Sequence, residues 1–126
     1  MNRLLAIYGS SRRNNVLKTS ALMSTVMLTG FPLAAHAEPL PSFELTLNDG
    51  KLTPSRIEVP ANTRFKLTLH NTGQTPAEFE SARLRQEKVL AGGVTSFVVI
   101  YPLSPGEYEF IDEFHLPDAK GVIVAK

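Results

Sequence analysis

Two short acidic stretches hold the residues best able to do chemistry: Pro76-Ala77-Glu78-Phe79-Glu80-Ser81 and Asp112-Glu113-Phe114-His115. Carboxylates with one imidazole form a hard-to-borderline donor set. It suits Fe(II), Fe(III), Cu(II) or Mn(II), and it suits Cu(I), which prefers sulfur, poorly. Sulfur is scarce in this chain, which has no cysteine and three methionines, Met1, Met23 and Met27. The same acids could also form an ordinary solvated face, since Asp and Glu are nearly always exposed. Like charges gathered without a cation repel one another, so whether these groups cluster or scatter decides between the two readings.

The elements that must position them are strands. Period-two alternation of apolar residues, broken by turn signals, marks strands at 43–47, 57–59, 64–69, 78–82, 87–90, 96–100, 107–111 and 122–125. Asn48-Asp49-Gly50, Pro60-Ala61-Asn62, Asn71-Thr72-Gly73, Gly92-Gly93 and Ser104-Pro105-Gly106 supply the turns between them. No stretch of ten or more residues after Pro41 keeps a helical period, so the expectation is an all-β, antiparallel Greek-key β-sandwich. Parity along the strands sends Tyr108, Phe110, Asp112 and Phe79 inward. It sends Glu107, Glu109, Glu113, Glu78 and Glu80 outward. Two groupings follow, Glu78 with Glu80 and Glu113 on an outer face, and Asp112 with His115 at the sandwich end, which strand twist could merge. Glu107 and Glu109 fit a solvated face. His70 fits an exposed strand end, Arg83, Arg85 and Lys88 an exposed basic strand, and Tyr101 and Tyr108 core or rim positions.

The first 37 residues have the form of a signal peptide. Arg3, Arg12, Arg13 and Lys18 precede an uncharged run at 19–35 that ends in Ala35-His36-Ala37, which places cleavage after Ala37. Those 17 uncharged residues include Ser, Thr, Gly and Pro and fall short of the ~20 that a membrane-spanning helix needs. Ahead of that run within the leader, Ser11-Arg12-Arg13-Asn14-Asn15-Val16-Leu17-Lys18 resembles a twin-arginine export signal, with Asn15 where that pattern prefers Phe. Removing the leader takes four of the 13 basic residues and none of the 12 acidic ones. The remainder is mildly acidic, which argues against a nucleic-acid partner. Residues 38–42 read as a flexible proline-rich arm and 43–126 as a single domain.

Pro54-Ser55-Arg56-Ile57-Glu58-Val59-Pro60-Ala61-Asn62, the Asn71-Thr72-Gly73 turn leading to Pro76, Pro105-Gly106-Glu107-Tyr108-Glu109-Phe110 and Lys120-Gly121-Val122-Ile123-Val124 together resemble the cupredoxin family. The resemblance implies a cupredoxin-like sandwich. Its blue-copper ligands, laid onto this chain, fall at Ala77, Asp112, His115 and Lys120, where His115 alone is retained. Blue-copper electron transfer is therefore not expected. The two acidic motifs resemble the cupredoxin-like periplasmic components of bacterial ferrous-iron uptake. That resemblance implies a periplasmic location and a metal site of Glu78, Glu80, Asp112, Glu113 and His115 that takes iron, Cu(II) or both. It also implies delivery of iron to an inner-membrane iron permease, with Arg83, Arg85 and Lys88 available to dock an acidic loop. A second subunit could complete an outer-face cluster, giving a homodimer. No phosphate loop, nucleophile elbow or zinc helix is present, so any catalysis is confined to oxidation of ferrous iron with a metal or partner as electron acceptor. The alternatives are a copper-binding protein without iron chemistry and a metal-free interaction module.

Overall fold

The computed structural model describes residue 30 and residues 38–126; the rest of the expected signal peptide lies outside the described residues. Two sheets face each other across an apolar core. The first runs in the order β2 (Lys51–Thr53), β1 (Ser42–Asn48), β4 (Phe65–Asn71) and β7 (Thr95–Ile100). The second runs β3 (Arg56–Val59), β9 (Lys120–Ala125), β8 (Gly106–Asp112), β5 (Ala77–Ser81) and β6 (Gln86–Leu90). A 3₁₀ turn, Glu113–His115, follows β8 directly. Among the described residues no helix is long and apolar enough to cross a membrane.

The alternation expected from the sequence sets the core. Leu45, Leu47, Phe65, Leu67, Leu69, Val98 and Ile100 project from the first sheet against Ile57, Phe79, Tyr108, Phe110 and Ile123 from the second. Burying each large side chain contributes on the order of 1.5–3 kcal/mol. Phe79 and Phe110 meet with ring centroids 5.5 Å apart and close the core beneath the acidic motifs.

Every strand read from the sequence is present, with ends shifted by one or two residues. Three features differ. The expected antiparallel arrangement holds for most pairings, but β1 with β4 and β3 with β9 run parallel; alternation is the same in either direction, so patterning does not separate them. The arm is shorter than expected, because β1 begins at Ser42 and the Pro41 carbonyl accepts from Lys66 N at 2.9 Å. Arg83 and Arg85 are not on a strand. They lie in the reversal between β5 and β6, where Arg85 takes φ 52°. The Arg83 guanidinium donates to the Glu107 carbonyl and lies 4.4 Å above the Tyr108 ring. Strand β2 was not anticipated. Asp49 (φ 44°) and Gly50 (φ 95°) make the tight left-handed connection that folds it back on β1.

Gly121 pairs with Phe110 across β9 and β8, and a side chain there would strike the Phe110 ring and the Ser55 carbonyl. Gly121→Ala should therefore cost about 1–3 kcal/mol, the usual range for overpacking. The check is a denaturant titration, in which an unchanged midpoint would contradict this packing.

Candidate metal centre

The sandwich end is organised by one carboxylate. Asp112 is fully buried, and its oxygens are all in use. Oδ1 accepts from Glu78 N at 3.0 Å and from Phe114 N at 3.2 Å, while Oδ2 contacts His115 Nδ1 at 2.7 Å. One side chain thus joins the end of β8, the 3₁₀ turn it caps and the start of β5. The chain of contacts continues outward. His115 Nε2 lies 3.0 Å from Thr75 Oγ1, and that hydroxyl donates to Asp49 Oδ1 at 2.6 Å.

Asp49 also accepts from the backbone N–H groups of Gln74 and Thr75. The Thr75 hydroxyl first, then these N–H groups, hold its carboxyl below the ordinary value, with a smaller contribution from His115. Asn71 stabilises the same loop from beneath. Its Nδ2 donates to the carbonyls of Thr75 and Leu90, and its Oδ1 accepts from Gly73 N. Of the four positions that correspond to blue-copper ligands, Ala77 and Asp112 are buried, His115 is bound to Asp112, and Lys120 is exposed.

The outer face carries the second group. Glu78, Glu80 and Glu113 point away from the core, as parity requires, and Glu87 of β6 joins them. Glu80 stands directly opposite Glu87, while Glu78 stands opposite Val89. Glu80 is also opposite Ile111 of β8, which puts Glu113, two residues further on, diagonal to it.

Glu78 is unexpectedly covered, at 8% exposure. Burial chiefly, then hydrogen-bonding contact with the Glu87 carboxyl and the charges of Glu87, Glu113 and Asp112, push its pKa up. Glu80 is raised too, first by its contact with Glu113, then by burial and by the charges of Glu113, Glu78 and Glu87. No Lys or Arg among the described residues forms an ion pair with any of the four. An open cavity of about 230 Å³ is lined by Glu80 to Arg83 at the end of β5 and by Glu109, Phe110 and Ile111 of β8.

The structure thus keeps the expected residues in two groups, linked where Asp112 receives the Glu78 N–H. Among the described residues, no three acidic or imidazole side chains yet surround one point at coordination distance. Cation binding here requires carboxylates to swing together. The donor chemistry fits an oxygen-preferring ion: glutamates that crowd one another have their repulsion relieved by any cation they share. Asp112 and His115 coordinate only by giving up hydrogen bonds they already make. His70 stands apart on the first sheet, with Nδ1 3.0 Å from Thr95 Oγ1. Sequence reasoning missed Glu87, which only the β5–β6 register reveals, and the roles of Asp49 and Thr75, whose turn chemistry masked them.

Two outcomes follow. Asp112→Ala leaves the buried N–H groups of Glu78 and Phe114 without acceptors, at about 1–3 kcal/mol each, and thermal melting should show a loss well beyond that of Glu109→Gln. The raised pKa values of Glu78 and Glu80 stabilise the fold fully below the ordinary glutamate value of 4.5, and that contribution disappears as pH rises through the raised values. Metal-free protein should therefore melt higher as pH falls from neutrality towards 4.5. It should lose stability again below the ordinary Asp49 value of 3.8, where that depressed group protonates. Glu78→Gln/Glu80→Gln should flatten the first rise. A double variant that keeps the wild-type slope would remove the carboxylate crowding as its cause.

Comparison with known proteins accords with this architecture. The family model for a cupredoxin-like domain matches residues 20–125. An uncharacterized protein of Rickettsia prowazekii is 37% identical over 81 residues, covering 64% of this chain and 65% of that protein. The iron uptake system component EfeO of Yersinia pseudotuberculosis is 27% identical over 96 residues, 73% of this chain but 25% of its own length. The chain thus spans just under two thirds of one relative and a quarter of the other.

Among solved structures, auracyanin A, a blue copper protein of Chloroflexus aurantiacus, superposes with a TM-score of 0.58 at 13% identity, over 68% of this chain and 98% of that one. The metal binding domain of the Cu(I) exporting ATPase CopA of Streptococcus pneumoniae does so with a TM-score of 0.60 at 14% identity, over 68% and 84% respectively. At such identities these two likenesses concern the fold alone. With the match of the family model extending over most of the sequence, this chain belongs to the cupredoxin-like domain family.

Proposed function

We propose that this chain is a periplasmic metal-binding protein of ferrous-iron uptake, which takes iron on its acidic face and passes it to an inner-membrane permease. The observation that carries the reading is Glu78, a nearly buried carboxylate that faces other carboxylates with no cationic side chain paired to it. Similarity to EfeO, named as an iron uptake component, supports iron as the cargo. Glu78, Glu80 and Glu113 supply the donors. Asp112 and His115 form the frame that holds the first and last of these in place.

Anionic oxygens stabilise Fe(III) more than Fe(II), because the attraction grows with the charge of the ion. The site thereby lowers the potential of bound iron and eases its oxidation. That step releases one electron, which Cu(II) or a partner protein must accept. A second reading, copper handling without iron, draws on the blue copper and Cu(I)-exporting proteins that share the fold. The absence of cysteine, and of methionine beyond Met27, confines that reading to Cu(II).

Anaerobic calorimetric titration with Fe(II), Cu(II) and Mn(II), together with the metal content of protein exported by a bacterial host, separates the readings. Fe(II) should bind and raise the melting temperature at neutral pH, as any ligand selective for the folded state does. Glu78→Gln/Glu80→Gln should lose at least about tenfold in affinity, the lower range for disturbing a metal's surroundings. Binding of Cu(II) alone would favour copper handling, and binding of no metal would leave an interaction module.

A further inference from the structure

Four strands form the edges of the two sheets, and three of them are blunted against pairing with another chain. β2 is three residues long and begins with Lys51, β3 alternates Arg56 with Glu58, and β6 carries Glu87 and Lys88; short length and charge are what keep sheet edges from joining. β7 has neither device. Its six residues, Thr95–Ile100, include no charge, proline or glycine. Three exposed apolar side chains lie on or beside it: Val94, Phe97 at 52% exposure and Tyr101 at 70%.

The backbone of that edge is open too. Asn71 N donates to the Val94 carbonyl at 2.9 Å, and hydrogen-bonded pairs alternate along an antiparallel ladder. Ser96, Val98 and Ile100 therefore bond to β4, while Thr95, Phe97 and Val99 turn their N–H and C=O groups outward. Among the described residues, none of these outward groups has a backbone partner. Phe97 is the middle residue of the three. A second β7 laid antiparallel about a two-fold axis at Phe97 pairs Thr95 with Val99 of the other copy and Phe97 with Phe97, and it leaves none of the outward groups unmet. The same register sets Val94 opposite Ile100, and Tyr101 opposite Gly93, above which there is open space. Thr95, Phe97 and Val99 share the outer face, so the two Phe97 rings form a cross-strand aromatic pair. No charge on β7 opposes another, and the nearest cations, Lys66 and Arg64, already lie over the rings of Phe97 and Tyr101.

We propose that β7 is a self-association edge, through which this chain pairs with a second copy across a two-fold axis at Phe97. Symmetry favours a second copy over a foreign strand, because each exposed group of the edge finds its partner within the same segment. The sequence reading set a second subunit against the acidic face; this pairing instead uses the edge of the other sheet and involves no acidic residue. Three residue pairs cover less than the roughly 800 Å² per partner of a standard complex, so the dimer is weak and depends on concentration.

Sedimentation velocity of the purified protein from about 1 μM to about 1 mM, the range of weak association, should show a monomer passing into a dimer. Phe97→Lys places two positive charges opposite each other at the axis and should weaken the dimer at least about tenfold, while circular dichroism and melting show an intact fold. Val89→Lys, the same change at the exposed apolar residue of β6, should alter it less than about twofold, in keeping with weak effects from distant surface charges. The chain has no cysteine, so Phe97→Cys tests the register separately. Opposed residues of a hydrogen-bonded antiparallel pair lie about 5.5 Å apart at Cα, within disulfide reach, and oxidation with diamide should link two copies, whereas Val89→Cys should stay largely unlinked. A wild type that remains monomeric throughout that range would overturn the proposal and leave the edge to a strand of another protein. A dimer that Phe97→Lys does not weaken, or a Val89→Cys chain that links as readily as Phe97→Cys, would overturn it by placing the contact elsewhere.

Discussion

Burying Asp112 without an exposed atom is tolerable only because every direction in which its oxygens face holds a donor. An unpaired carboxylate in an apolar interior costs several kcal/mol, and the cost falls when charge and hydrogen bonds compensate it. Here the compensation comes from Glu78 N, Phe114 N and His115, which belong to three different pieces of backbone. The requirement to satisfy one carboxylate therefore fixes the relative positions of β5, the end of β8 and the 3₁₀ turn. Through His115 and Thr75 the constraint reaches Asp49 in the β1–β2 turn, so that both sheets are tied together at this end.

The glutamates of the outer face depend on that frame. Glu78, the second residue of β5, is held through its N–H by the Asp112 carboxylate, and Glu113 starts the turn that the same carboxylate caps. Their backbones cannot drift apart to relieve repulsion without breaking buried hydrogen bonds. The fold thus stores like-charge crowding on a rigid sheet, and crowding held in place is what a cation can relieve most effectively. A flexible acidic loop would relax instead, and would have to be ordered again on binding. Preorganisation on strands avoids that entropic cost.

Much of this was legible in the residues. Alternation placed Phe79, Phe110 and Asp112 inward and the glutamates outward, because a strand's period of two leaves no freedom once one face is apolar. The eight strands and their turns were equally plain. What patterning cannot carry is partnership. The parallel pairing of β1 with β4 depends on contacts between segments far apart in sequence. The role of Glu87 depends on the reversal of residues 82–85, whose arginines read as a strand continuation because they alternate with Leu84. Asp49 and Thr75 looked like turn residues and are turn residues; their link to His115 exists only once the loops meet at the sandwich end.

A carboxylate that replaces a thiolate at the buried end of a cupredoxin-like sandwich does more than change ligand softness. A thiolate with few hydrogen-bond partners keeps its charge for a metal, whereas a buried carboxylate must spend its lone pairs on protein donors to be stable there at all. Asp112 does so completely, and His115 follows it into the network. The interior end becomes structural as a consequence of solvation physics. On the proposed reading, hard-cation binding falls instead to the outer face of β5 and β6, where Glu78, Glu80 and Glu87 stand together. The sandwich keeps its connection between β8 and the β4–β5 loop through a hydrogen-bonded anchor in place of a soft donor, and on the proposed reading this leaves the outer-face glutamates as the donors for a metal.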